Sequence, residues 1–174
     1  MRRTLVLSAL MASFMLTGTL VAAQQVQSLG GVSYGTADWP ENGLGNHRAV
    51  VDVAAAGAVR ARIPWRRHDT EFRGKAVLVY DLTTVAKIEN VFAYNITREF
   101  GDVVFQPQTV PGRYAIYYMP YQHPVTTSGE WNGSYLPPRL VAEPSWLAKH
   151  GLSGSAGPPH ARARMTPNQI DCII

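Results

Sequence analysis

The chain has 174 residues, with 16 Lys and Arg against 12 Asp and Glu, which gives a formal net charge of +4 at pH 7. This excess is too small to predict a nucleic-acid partner, and no run of basic residues alternates with aromatic ones. Cys172 is the single cysteine, so an internal disulfide is excluded and the fold must be stabilised by burial.

The first 23 residues have the pattern of a secretory signal peptide. A basic start, Met1–Arg3, precedes an uncharged apolar run that ends in the small residues Ala22 and Ala23. We therefore expect cleavage after Ala23 and a secreted or periplasmic product. The alternative is an uncleaved membrane anchor, but several Ser, Thr and Gly residues dilute the run. No later segment is apolar enough over a sufficient length to span a bilayer, so we expect no membrane contact after cleavage.

Residues 24–36 are rich in Gly, Gln and Ser, and we predict a flexible leader there. Short apolar runs separated by Gly and Pro turns follow, and each is typical of a β-strand. These runs are Arg48–Val53, Val59–Trp65, Ala76–Asp81, Lys87–Glu99, Val103–Phe105 and Arg113–Met119. The run Val59–Trp65 alternates most regularly, with one apolar and one basic face, and Pro64 should end it or place it at a sheet edge.

About six short strands without a convincing long helix predict an all-β fold, an antiparallel β-sandwich of the jelly-roll or immunoglobulin-like kind. We place this domain at residues 37–150. Residues Leu140–His150 are predicted to form one short C-terminal helix, with Gly151 just after its end. Residues 151–174 are rich in Gly, Ser, Pro, His and Arg and lack apolar periodicity, which predicts a disordered tail.

Motifs for catalysis or metal binding are weak in this chain. Gly31–Gly35 matches the G-x-S-x-G pattern around Ser33, but no buried strand and helix are expected to flank it, so a Gly/Ser loop is the preferred interpretation. Asp69 and Glu71 are the closest pair of acids in a charged loop, where a solvated turn is preferred over a catalytic pair as the interpretation. The five histidines lack ligand spacing, so we expect no metal and no cofactor.

The segment Trp65–Asp69 is the densest aromatic and charged cluster. Trp65 could stack on a sugar ring, or Arg66 and Arg67 could form a salt-bridged interface with another domain through Asp69. The preferred interpretation is that Trp65 packs in the core and both arginines are solvated. These alternatives remain open from the sequence alone.

Three segments, Trp39–Val51, Ile63–Asp69 and Tyr117–Tyr121, carry a family resemblance. Together they resemble the N-terminal β-sandwich module of large secreted bacterial proteins similar to glycoside hydrolase family 123, over about residues 37–147. The resemblance implies a following (β/α)-barrel that performs catalysis. In related hydrolases that barrel cleaves terminal β-linked N-acetylgalactosamine, with the substrate's acetamido group as nucleophile beside an adjacent Asp–Glu pair.

This chain contains no adjacent Asp–Glu pair, so the resemblance transfers no catalytic residue. A barrel of about 250 residues would not fit after the sandwich, which leads us to expect a truncated or frame-shifted product, or a free-standing accessory module. The expected partner is the catalytic barrel or a glycan. The candidates for binding or for a domain interface are His47, Arg48, Trp65, Arg66, Arg67, Asp69 and Tyr118.

Two other functions stay open. An independent carbohydrate-binding module would use Trp39, Trp65 or Trp131 as stacking platforms. A small secreted hydrolase would use Ser33 or the region of Asp69 and Glu71, and it is the weakest of the three hypotheses.

Overall fold

The computed structural model describes residues 27–29, 31–65, 71–123, 133–152, 164–165 and 167–172. They form an all-β structure with one short α-helix, which confirms the predicted fold class. The strands are β1 (Gln27–Leu29), β2 (Val32–Thr36), β3 (His47–Val53), β4 (Val59–Pro64), β5 (Val77–Asp81), β6 (Val91–Tyr94), β7 (Phe100–Phe105), β8 (Gly112–Tyr118), β9 (Tyr121–Gln122), β10 (Ser134–Tyr135), β11 (Arg164–Met165) and β12 (Gln169–Cys172). Helix α1 spans Pro144–Lys149, and a 3-10 turn spans Phe72–Gly74.

Two sheets form the body of the sandwich. The six-stranded sheet has the order β1-β2-β12-β3-β8-β5, and the four-stranded sheet has the order β11-β4-β7-β6. Strands β9 and β10 make a small separate pair. Neighbours are antiparallel except for β12 with β2 and β11 with β4. Because the two sheets share one apolar core, the arrangement is a sandwich.

The core between the sheets contains the inward side of each long strand. In β4, Val59, Ala61 and Ile63 point into it, which confirms the predicted apolar face of this strand, and β4 ends at Pro64 as expected. Facing residues come from β3 and β8 in the other sheet, and Tyr114 and Ile116 are fully buried there. Period-2 alternation therefore determines which side of each strand is covered.

Smaller apolar clusters cover the outer faces of both sheets. Trp39 packs on Ala115 and Tyr117 at the six-stranded sheet. On the four-stranded sheet, Trp146 of α1 packs with Val104 of β7. The helix lies inside the predicted range, with proline at its first position and Gly151 at a φ of +62° beyond its end. Among the helices of the described ranges, none is long and apolar enough to cross a membrane.

The structure differs from the sequence prediction at both ends of the domain. The predicted disordered tail is wrong for Gln169–Cys172, since β12 is inserted between β2 and β3 in the six-stranded sheet. The predicted flexible leader is wrong for Gln27–Leu29 and Val32–Thr36, which form a hairpin that pairs with β12. Local composition misleads here because these short strands are stabilised by neighbours distant in sequence.

Candidate functional site

Three of the predicted interface residues meet at one end of the sandwich. The ring of Tyr118, at the end of β8, lies 5.3 Å from the ring of Trp65 and 5.9 Å from that of His47, between ring centroids. Trp65 directly follows β4, and His47 begins β3. The aromatic cluster therefore joins residues from both sheets at one end of the sandwich.

Trp65 is a core residue in this cluster, with only 4% of its surface exposed. Its indole Nε1 donates a hydrogen bond of 2.9 Å to the carbonyl oxygen of Thr97. The ring lies so close to Gly101 that a Cβ at that position would overlap it. Trp65 thus contributes packing, and its ring is not presented as an open platform for a sugar.

His47 is neutral near pH 7 in this environment. Burial lowers the pKa of its imidazole below the ordinary value of 6.5, because the low-dielectric surroundings disfavour the charged form. Nδ1 lies 2.6 Å from Oδ1 of Asn46, a contact that fits Nδ1–H as the donor. A neutral ring at the edge of the cluster can pack against apolar groups with little desolvation cost.

Arg48 lies on the opposite side of β3 from this cluster. Its Nη2 and Nε lie 3.0 and 3.1 Å from Oδ2 of Asp171, and its guanidinium stacks over the ring of Trp39 at 4.6 Å. The Asp171 side chain is fully buried, and the two residues are direct partners in the register of β3 and β12. The charge of Arg48 is therefore used to hold β12 in the sheet.

The remaining predicted site residues lie outside the described residues. They are Arg66, Arg67 and Asp69 of the loop, Trp131, and Ala23 at the expected cleavage site.

A charged cluster on the outer face of the four-stranded sheet was not predicted from the sequence. Asp102, fully buried, accepts hydrogen bonds of 2.9 and 2.7 Å from Nε and Nη2 of Arg62, and Arg60 and Asn95 also contact it at 3.4 and 3.0 Å. The basic face predicted for β4 was a signal that an acid was needed opposite it. Sequence alone does not show that β7 supplies this acid.

The pKa of Asp102 reflects two opposing effects. Burial raises it, but the hydrogen bonds from Arg62 and Asn95 and the nearby positive charges outweigh burial, so the pKa lies below the ordinary 3.8. Asp102 is therefore ionised at neutral pH, and its carboxylate is bound by Arg60, Arg62 and Asn95. A carboxylate in this state is a poor general acid because it does not carry a proton.

A second buried carboxylate, Asp81 at the end of β5, organises the turn that follows this strand. Its partner in the sheet is Tyr114, near the start of β8. Oδ1 of Asp81 accepts backbone N–H bonds from Thr83 and Thr84 at 2.8 and 3.3 Å. The hydroxyl of Tyr114 accepts the N–H groups of Gln108 and Thr109 and donates to the carbonyl of Thr109 at 2.7 Å. Burial raises the pKa of Asp81, but hydrogen bonds to its carboxylate from the Thr109 side chain, the Thr83 and Thr84 N–H groups and the Tyr114 hydroxyl at 3.3 Å lower it below 3.8 overall.

The weak catalytic motifs do not assemble in the described part of the chain. Ser33 lies within strand β2, and its backbone N–H bonds to the carbonyl of Asn168, so the strand–turn–helix geometry of a nucleophile elbow is not formed. Glu71 is exposed beside the 3-10 turn. Among the described residues, no group of three or more His, Cys, Asp or Glu side chains could hold a metal ion.

The fold and the paired buried charges define an all-β sandwich domain, and a family comparison specifies it further. The model described as "Glycoside hydrolase 123, N-terminal domain" matches residues 37–169. The chain therefore belongs to this family, as its resemblance in three segments indicated. The match extends to β12, in agreement with a domain that continues past residue 150. Neither the curated proteins nor the solved structures gave a match.

Proposed function

We propose that this domain is a secreted, non-catalytic accessory module that packs on a catalytic barrel in extracellular glycan degradation. The observation that carries the proposal is the family match over residues 37–169 to a glycoside hydrolase N-terminal domain. The signal-like segment before Ala23 supports export.

The state of the buried acids supports a non-catalytic role. Asp81, Asp102 and Asp171 are each fully buried and engaged in hydrogen bonds or ion pairs that hold strands and turns together. Glycoside hydrolysis normally needs two acids that face one substrate across a cleft. The three buried carboxylates instead bind groups of the fold itself.

The end of the sandwich at His47 is the proposed contact with the barrel, because His47 is half-buried there and the buried Tyr118 and Trp65 pack behind it. A neutral His47 presents little charge, which suits a domain interface. Arg66 and Arg67 directly follow Trp65 in the sequence, and arginine is enriched at such interfaces.

Hydrolysis of p-nitrophenyl N-acetyl-β-galactosaminide by the purified protein tests the non-catalytic role. We expect a rate equal to that of buffer alone. Turnover that rises in proportion to protein concentration would refute this part of the proposal. Intact-mass analysis of the exported protein tests secretion, with Gln24 as the expected first residue and retention of Met1 as the contrary result.

Association with a separately produced barrel domain of a glycoside hydrolase 123 protein tests the packing role. We expect Arg67→Glu to weaken binding in isothermal titration calorimetry at least fivefold. Lys149→Glu on α1 reverses a charge of the same sign far from the aromatic cluster and serves as the matched control. Equal affinities for both variants would place the interface elsewhere.

The alternative of an independent carbohydrate-binding module receives less support. Trp39 and Trp65, two of its three proposed platforms, are 8% and 4% exposed. Sugar stacking needs an accessible ring face. A saturable change in tryptophan fluorescence on titration with glycans would nevertheless favour this alternative over the accessory role.

A further inference from the structure

A groove lies at one edge of the sandwich, where β5 ends the six-stranded sheet and β6 ends the four-stranded sheet. Its volume is about 750 Å³, within the range of roughly 300–1,000 Å³ that is usual for small-molecule sites. Residues 136–141 contribute to its wall. The apolar lining includes Val77, Ile88, Val91, Phe92, Leu136 and Leu140.

The charged residues that line the groove are all cationic. They are Arg73, Lys75, Lys87 and Arg139, and no Asp or Glu lines it among the residues that the structure describes. Glu89 lies 3.7 Å from Nζ of Lys87, but both side chains are exposed, so solvent weakens this pair. A ligand in the groove would therefore be placed in a positive potential.

Exposed apolar groups continue the groove at the surface. Leu140 and Val141, which both line it, are 64% and 44% exposed. The ring of Tyr135, also exposed, lies 3.9 Å from Nζ of Lys75. Large apolar side chains that are exposed together, and not singly, mark a binding surface.

We propose that this groove binds an amphipathic anion, a small molecule with an aliphatic or aromatic body and a carboxylate or sulfonate head. The apolar lining would bury the body, and the cations would bind the head. The lysines and arginines of the described lining only donate hydrogen bonds, so Gln122 and Tyr80 are its side-chain acceptors, few for the hydroxyl donors of a saccharide. The inference is independent of the proposed accessory role, since it uses different residues at a different edge.

Titration calorimetry with three ligands of equal chain length tests the charge preference. Decanoate carries a carboxylate, decyltrimethylammonium a cation, and decyl maltoside a neutral head, and each is used below its micelle concentration. We expect decanoate to bind saturably and the cation to bind at least tenfold more weakly. Because salt screens exposed charges, decanoate affinity should fall as ionic strength rises.

Paired variants test the location. Lys87→Gln combined with Arg139→Gln removes two charges from the groove and should weaken decanoate binding at least fivefold. Arg98→Gln combined with Lys149→Gln removes two exposed charges outside the groove and should change the affinity less than twofold. Amide NMR shifts on decanoate addition should be largest around Ile88 and Val91.

Four results would overturn the proposal. These are no saturable binding up to about 2 mM decanoate, equal affinity for the cation, equal effects of the groove and control variants, or binding to phosphatidylglycerol vesicles without binding to monomeric decanoate. The last result would indicate a membrane surface in place of a small-molecule site.

Discussion

Replacing Asp171 with Asn tests whether the C-terminal strand is an integral part of the sandwich. Asp171 is fully buried in β12, and its carboxylate contacts two nitrogens of Arg48 on β3 and accepts a hydrogen bond of 2.6 Å from Gln169. The substitution removes the negative charge and keeps nearly the same volume. Arg48, whose side chain is 15% exposed, is then left largely buried with no opposite charge at these contacts.

The expected loss is large for a single substitution. Breaking a buried ion pair by removing one partner costs about 3–5 kcal/mol. Because Arg48 retains some solvent contact and stacking on Trp39, we expect the lower end, about 3 kcal/mol. For a domain of this size the melting temperature should fall by roughly 6–12 °C.

Urea unfolding followed by tryptophan fluorescence measures this difference directly. The matched control is Asp52→Asn, because Asp52 forms an ion pair of 3.3 Å with Arg113 in which both side chains are more than half exposed. That variant should lose at most about 1 kcal/mol. If Asp171→Asn is no more destabilising than Asp52→Asn, β12 does not hold the sheet together and our account of the tail is refuted.

Three further predictions concern the rest of the domain. Because the pKa of Asp102 is lowered in the folded state, its carboxylate stabilises the fold fully above the unfolded pKa, and this stabilisation is lost as pH falls through the folded pKa. Asp102→Asn should therefore reduce stability at pH 7 and flatten the acid-induced loss of stability below about pH 5, as measured by urea midpoints across pH. Tyr114→Phe leaves two backbone N–H groups and one carbonyl without their hydroxyl partner, so it should cost about 2–3 kcal/mol in thermal or urea unfolding. The control Tyr34→Phe, at an exposed tyrosine, should change stability little, and equal losses would contradict the hydrogen-bond network around Tyr114. Gly101→Ala should prevent stable folding, because the added Cβ overlaps the indole of Trp65. Adding Trp65→Leu to this variant should restore part of the stability in circular-dichroism melts, and failure of this rescue would argue against the contact.

Sequence patterns were most informative where a strand has one covered face. The alternation of Val59, Ala61 and Ile63 predicted β4 and its inward side, since period-2 burial is a local property. Helix α1 was also predicted, within Leu140–His150 and with Gly151 just after its end. The family resemblance was carried by short segments within the domain, and the family match confirms it.

The sequence was less informative about the candidate site. It named His47, Trp65 and Tyr118 separately, and the structure brings their rings together because β3 begins where β4 and β8 end, at one side of the sandwich. Arg48 was grouped with them, yet its side chain faces away, toward Asp171. Neighbouring residues of a strand point to opposite faces, so adjacency in sequence did not imply a shared site.

By itself the sequence determined the all-β class, the faces of the regular strands and the family, because local periodicity and short motifs carry that information. Tertiary structure alone decided that residues 169–172 complete the larger sheet and that Asp102 neutralises the basic face of β4. Both depend on pairing between strands that lie far apart in the chain. A single Asp within a short strand gives no sign of the arginine that will lie opposite it, since register is set only when the sheets assemble.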